Sequence, residues 1–294
     1  MKKKKFDLFD VVNYILITLM VVIMIFPFWY SVAGSFNNGT DYLKGGVYLW
    51  PREFTLMNYK TVFLSNDIFS AFYITILKTL VGTFTSLYVT SLAAYAMTRQ
   101  KLYFRKFYAA FMTITMYFSG GLIPYFLLIN QLNLYNSFWV YVIPGLFSVW
   151  NMIILRSFFQ ELPETLLDAA KIDGAGEYRI YFQIVLPLSK AVLATIILFS
   201  LVGHWNSYFD SMMYTSSKSL QTIQLFLQKL ITEPGTSNTL SSAALAAIPE
   251  SAQQATPQTI KLAAMVITAL PIICIYPFLQ KYFAKGVMVG SVKG

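Results

Sequence analysis

From Phe107 to Leu155 the chain carries no Asp, Glu, Lys or Arg. A soluble fold cannot easily place so long an uncharged run, because some of it must meet water. Charged residues make up 12% of the 294-residue sequence, against roughly 25% in soluble proteins. With 56% hydrophobic and 17% aromatic residues, intrinsic disorder is excluded, since it requires low hydrophobicity. The solvent this chain is built for is lipid.

A spanning helix needs about 20 mostly apolar residues to cross a hydrocarbon core of roughly 30 Å. Val11 to Thr40 is free of charge, and its part from 11 to 33 makes a first span. The N-terminal Met-Lys-Lys-Lys-Lys ahead of it resembles a signal peptide. The apolar stretch is too long for one, however, and lacks a small-x-small cleavage site, so it reads as a retained span. Thr79 to Thr98, extended by Ala71 to Leu77 past Lys78, is the second span. The uncharged run fits two more, broken by Gly120-Gly121, Pro124 and the segment from Asn130 to Asn136. The third then ends before Asn130 and the fourth follows Phe138. Ala191 to Phe209 and Leu262 to Gln280 complete six spans. Pro27, Pro144, Pro271 and Pro277 are tolerable kinks within them. The fold class expected is all-α, a polytopic membrane protein forming a single domain over 1–294.

Lys and Arg mark the cytoplasmic flanks of such a bundle. Lys2 to Lys5, then Arg99, Lys101, Arg105 and Lys106, then Arg156, Lys171, Arg179 and Lys190, then Lys281, Lys285 and Lys293 fall on one side, and hold most of the 22 basic residues. Both termini are therefore expected in the cytoplasm. The net charge of +9 is topology, with no call for nucleic acid. The single cysteine, Cys274, rules out a disulfide framework or a Cys-rich metal site. The opposite side has two long segments, Asn37 to Ser70 and Ser211 to Ile260. Each reads either as plain connection or as a docking surface, and the second has a Ser, Ala, Thr, Gln and Pro-rich stretch with a possible helix at Ser241 to Ala247.

The most patterned loop lies between spans four and five, over 160–187. Pro163-Glu164 suits a helix start, with an acid at the positive end of the dipole. Leu166, Leu167, Ala169, Ala170 and Ile172 then give two to three turns of small, apolar helix. Gly174 is placed to end it in the left-handed conformation. A second amphipathic piece runs from Glu177 to about Val185, with Pro187 before span five. Such a pair is a lever that can be gripped from outside the membrane.

Asp168-Ala169-Ala170, three residues, Gly174, nine residues and Ile184-x-Leu186-Pro187 resemble the EAA loop of binding-protein-dependent ABC importer permeases. Asp168 replaces the family's Glu and keeps its charge. Ile172-Asp173-Gly174-Ala175, Ala93-Ala94-Tyr95-Ala96, Phe118 to Pro124, Gly203-His204-Trp205-Asn206 and the tail from Lys285 extend the likeness along the chain. Together they are similar to carbohydrate-uptake permeases of the maltose-permease small-subunit kind, with a type I importer transmembrane core over about 71–281. The resemblance implies that Glu164, Asp168, Ala169, Ala170, Asp173, Gly174, Ile184, Leu186 and Pro187 couple the chain to an ATPase. It also implies a second homologous permease chain in a heterodimer, two cytoplasmic ABC ATPase subunits carrying ATP and Mg, an extracellular sugar-binding (lipo)protein, and an oligosaccharide substrate.

Polar groups at membrane depth indicate a pathway or a buried hydrogen bond. Lys78, His204, Trp205, Asn206, Tyr208 and Asp210 are candidates for a sugar path, since sugars present both apolar faces and hydroxyls. Asn206 and Asp210, four apart, are expected on one helical face, and Lys78 can reach Asp210 at similar depth. The competing reading is an aromatic belt with helix-packing hydrogen bonds, favoured for Trp205. His204 has no partner ligands spaced near it, so no metal site is expected. No phosphate-binding Gly-x-x-x-x-Gly-Lys loop is present, and no catalytic constellation, so ATP hydrolysis is expected elsewhere. The alternative, an ion-gradient-driven secondary transporter or channel, needs intramembrane acids, and the spans hold none apart from Asp210 near an end.

Overall fold

The computed structural model describes residues 8–64, 66–232 and 255–290. The helix expected at Ser241 to Ala247, Lys2 to Lys5 and Lys293 lie outside them. In chain order the helices are α1 (Leu8–Ser35), α2 (Gly39–Tyr42), α3 (Met57–Phe63), α4 (Asn66–Thr98), α5 (Arg105–Tyr117), α6 (Leu122–Gln131) and α7 (Val149–Gln160). They continue as α8 (Glu164–Ile172), α9 (Glu177–Leu188), α10 (Lys190–Asn206), α11 (Phe209–Tyr214), α12 (Ile223–Thr232) and α13 (Pro257–Gly290). Among the described residues no strand forms beyond a single bridge between Asn37 and Phe54.

Three helices are long and apolar enough to cross a membrane, or up to five if each of two bent pairs is one span. The third expected span is α5 and α6, turned 117° from each other at Gly121, whose φ is +84°. The fifth, expected over Ala191 to Phe209, is α10 with the start of α11, and α9 ahead of it meets α10 at an 83° turn. The fourth expected span is shorter than the sequence suggests. After Phe138 comes a 3-10 turn to Tyr141, and Pro144 lies outside any helix in the turn that follows. A proline disfavours helical geometry at the residue before it; α7 starts only at Val149, with Ser148 as its N-cap accepting from the Asn151 N–H, and has 12 residues.

The chain divides into two compact units. The first comprises 1–69 and 227–270. In it α1 stands with its membrane-length window unburied, while the segment after it is ordered by polar contacts. Asn58 is fully buried and donates to the carbonyls of Ser35 and Asn37, at 2.8 Å each, and accepts from Thr259 at 2.8 Å. Asp41 accepts from Asn37 and from Arg52, each at 3.0 Å. Those hydrogen bonds, the Asn37 amide foremost and then the guanidinium, hold the Asp41 carboxyl below the usual carboxylate range. The stretch from Asn37 to Asn58 is thus a folded element, with Trp50 stacked on Trp29 at 5.7 Å.

The second unit comprises 70–226 and 271–294 and has two apolar clusters. One lies at the basic end, where Ala94, Tyr95 and Met97 of α4 meet Met152, Leu155 and Phe159 of α7. Ile180, Tyr181 and Val185 of α9 join them, together with Leu167 of α8. The other, toward the opposite end, gathers Ile74, Ile129, Leu134, Val140, Tyr141 and Tyr214.

Candidate functional site: a helical lever and a polar cluster

Helix α8 forms where its sequence signals place it. Pro163 stands at the N-cap, one position earlier than the first helical turn, with φ −59° and ψ 121°. At the other end Gly174 adopts φ +77°. Its N–H bonds the Lys171 carbonyl at 3.0 Å and the Ala175 N–H reaches the Ala170 carbonyl at 2.9 Å. This is the paired closure a left-handed C-terminal residue allows, and it satisfies carbonyls that would otherwise be free. Space beyond the Gly174 α-carbon is open within 4 Å, so the glycine is required by backbone angle and not by crowding.

The helix touches the rest of the unit by one face. Leu167 is 5% exposed and belongs to the apolar cluster at the basic end, with Ala170, Leu162 and Ala175 packed beside it. Ile172 is 86% exposed and Leu166 42%. Glu164, Ala169 and Asp173 are exposed as well. Asp168 is engaged by Lys171 one turn on, at 3.0 Å, a pair open to solvent and therefore of little energetic weight. What remains is an outward face on which Ala169 and Ile172 stand among exposed charges, on a helix anchored from behind. A cavity of about 520 Å³ opens behind it, lined among others by Arg99, Arg105, Glu164, Asp168, Lys171 and Glu177.

Helix α9 carries the motif's second half. The turn Tyr181–Val185 is π-helical, with the Leu186 N–H bonded to the Tyr181 carbonyl. Pro187 has no N–H to give and its ring crowds the carbonyl four residues back, which a widened turn accommodates. Ile184 and Leu186 are half-buried and Pro187 exposed. Two contacts the sequence did not reveal tie α9 to α4. The Tyr95 hydroxyl donates to the Glu177 carboxylate at 2.5 Å, and the Tyr181 and Ser91 hydroxyls pair at 2.7 Å. The two tyrosine rings lie 5.3 Å apart and the Arg99 guanidinium sits 4.3 Å from the Tyr95 ring. The Ala-Ala-Tyr-Ala segment was the available signal, since two alanines beside a tyrosine permit this approach. Helix α9 is thus bonded to α4 and joins α10 across an 83° bend.

At the opposite end, five of the six path candidates gather about the junction of α10 and α11, and Lys78 reaches it from α4. Lys78 is 1% exposed. Its ammonium donates to the Ser207 carbonyl at 2.7 Å and lies 5.1 Å from the Tyr141 ring. No direct ion pair joins Lys78 to Asp210 among the described residues. Ser207 stands between them, its hydroxyl donating to Asp210 at 2.8 Å. Asn206 and Asp210 do not share a helical face as their spacing suggested. Helix α10 stops at Asn206, Ser207 is extended at ψ 115°, and a new helix begins at Phe209. Lys78 fills the break by binding the carbonyl the helix leaves free.

His204 occupies space that two glycines leave. A β-carbon on Gly82 would stand 2.6 Å from its ring, and one on Gly145 3.6 Å away. Trp205 is buried, with the Phe72 ring 6.3 Å off. Asn206 and Tyr208 are exposed and Asp210 half-buried. Among the described residues no group of three or more His, Cys, Asp and Glu could hold a metal ion.

A broken bundle of apolar helices with a solvent-facing helical lever at its basic end is the architecture of a transport subunit driven by something outside itself. The family described as binding-protein-dependent transport system inner membrane component matches residues 3–289, and the chain belongs to it. The chain is 36% identical over 288 residues to the polygalacturonan/rhamnogalacturonan transport system permease protein YtcP of Bacillus subtilis (strain 168), covering 98% of this chain and 99% of the relative. It is 38% identical to protein LplC of the same organism, over 97% and 95% of the two. Among solved structures it is similar to a bacterial ABC transporter involved in the import of the acidic polysaccharide alginate. That match has a TM-score of 0.86 and 27% identity over 96% of this chain and 99% of the other. Membership makes the chain a permease subunit of an ATP-driven importer, working with a substrate-binding protein, ATPase subunits and a second permease, and the ATPase activity resides on separate subunits.

Proposed function

We propose that this permease carries an oligosaccharide into the cytoplasm, as one half of a heterodimer with a second, homologous permease chain. Two ATPase subunits, which bind ATP and Mg, grip the outward face of α8. An extracellular sugar-binding (lipo)protein delivers the substrate, and both termini of this chain lie in the cytoplasm. The observation that carries the reading is α8 itself, anchored by Leu167 and presenting Ala169 and the 86%-exposed Ile172 to solvent. Glu164, Asp168, Ala169, Ala170 and Asp173 supply the gripped helix and Gly174 its closure. Ile184, Leu186 and Pro187 carry the movement into α10. The names of the relatives, which specify polygalacturonan/rhamnogalacturonan transport and alginate import, support a saccharide oligomer as cargo.

For the path, the exposure of Asn206 and Tyr208 and the partial exposure of Asp210 support contact with sugar hydroxyls and faces. The burial of Lys78 and Trp205 supports a role in holding the wall behind them. The test is uptake of labelled oligosaccharides, including galacturonides, by vesicles holding the complete transporter and its binding protein. Uptake that requires ATP and the binding protein, and that Asn206→Ala or Tyr208→Ala weakens, supports the reading. Uptake by this chain alone, driven by an ion gradient, overturns it.

A further inference from the structure

Next to the lever, at the same basic end, a second cavity of about 670 Å³ is lined by Gln100, Phe104, Arg105, Lys106, Ala109 and Arg156. Three of these six are cations and none is an acid. The ion pairs among the described residues involve none of the three. The Arg156 Nε is buried without a hydrogen-bond partner. Like charges drawn together with a guanidinium N–H left unmet form an arrangement that an anion completes. Helix α5 begins at this point, and Phe104 before it provides no side-chain cap, so the free amides of its first turn add donors to the same place.

What lies beyond the cations identifies the kind of anion. Helix α5 buries none of its side chains. Phe107, Phe111 and Ile114 fall on one face at spacings of four and three, each more than half exposed, with the two phenylalanine rings stacked 6.2 Å apart. A cationic seat at the head of an apolar stripe complements an amphiphile better than a free ion. Basic pockets between spanning helices are a recurring means of holding anionic headgroups. The geometry points to a seat for the phosphate of an anionic glycerophospholipid, held by Arg105, Lys106 and Arg156, with its acyl chains along the exposed stripe of α5.

The complete transporter, delipidated in neutral detergent, is titrated with phosphatidylglycerol, phosphatidylcholine of the same chain length, and inorganic phosphate. Bound lipid is counted by native mass spectrometry. Phosphatidylglycerol is expected to bind and phosphatidylcholine not to. Lys106→Gln, at an exposed position, should weaken binding about fivefold, and adding Arg156→Gln should bring the loss to more than roughly tenfold. Lys190→Gln, another exposed cation of this end, should change nothing. Equal retention of both lipids, or wild-type affinity in the variants, overturns the site. Phosphate that displaces the lipid at millimolar concentration in proportion to charge alone overturns the lipid assignment.

Discussion

Two parts of this permease make opposite use of polar and apolar side chains. Behind the junction of α10 and α11 polar groups are held from within, while Asn206 and Tyr208 stay exposed. Lys78 is buried and bound to the Ser207 carbonyl, Ser207 binds Asp210, and His204 is held against Gly82. On α8 it is the apolar groups that are turned outward, with Ile172 86% exposed while only Leu167 is buried. The first region is held from within, since the Lys78 ammonium and the Ser207 hydroxyl find their partners in the chain, at the Ser207 carbonyl and at Asp210. The second leaves Ala169 and Ile172 open to solvent beside exposed charges, which is the face the proposed ATPase contact would use. One is a latch and the other a handle, and α9 joins the handle to the span that carries the latch.

If that contrast is correct, the two regions break in different ways. The largest effect is expected from Gly174→Asp. The left-handed angle costs a side chain about 1–2 kcal/mol, which Asp tolerates better than most residues, and the carboxylate would stand beside the gripped face. Insertion should be normal while ATPase association and uptake fall by about tenfold or more, the equivalent of at least ~1.4 kcal/mol. Normal uptake would remove the handle from the account. Gly82→Ala should do the reverse, since its β-carbon would meet the His204 ring at 2.6 Å. Overpacking of that kind costs about 1–3 kcal/mol. The melting temperature and uptake should drop with ATPase association intact, and His204→Ala in the same chain should restore stability.

A smaller effect is expected from Tyr95→Phe, which removes the hydroxyl bonded to Glu177. A hydrogen bond to a charged group is worth ~1.5–3 kcal/mol. The complex should assemble, but more ATP should be consumed per sugar delivered, because the lever slips against α4. An unchanged ratio would confine Tyr95 to packing. The smallest effect concerns acid. The Asp41 carboxyl is held below its usual range by Asn37 and Arg52. Its contribution to stability is therefore complete above the ordinary carboxylate range and fades as pH falls through the lowered value. Thermal melts of wild type should show this loss at acid pH, and Asp41→Asn should flatten that part of the profile.

The lever was the most legible part of the chain because its signals are local. A proline, an acid in the first turn and a glycine at the left-handed position fix α8 with no reference to the rest of the molecule. Which apolar residue faces inward was not legible. Leu166 and Leu167 look alike in sequence, and only the neighbouring α7 and α9 decide that the second is buried. The polar cluster was found as a group but misread as one helical face. Its register depends on a break after Asn206 that no proline or glycine at that point announces, and that Lys78, over a hundred residues earlier, completes. Likewise the charge-free run gave the material for spans three and four but not their form. The turn at Gly121 and the late start of α7 after Pro144 depend on backbone angles more than on hydrophobicity.

The central claim is that the outward face of α8 is covered by the ATPase, and the rate of thiol labelling measures it. In a chain whose exposed Cys274 is replaced by Ala, Ala169→Cys or Ile172→Cys provides a single thiol on that face. The account predicts rapid reaction with a maleimide in the permease pair alone, and slowing by about tenfold or more when the ATPase subunits are bound, as burial in a closed interface requires. Equal rates with and without the ATPase would contradict it.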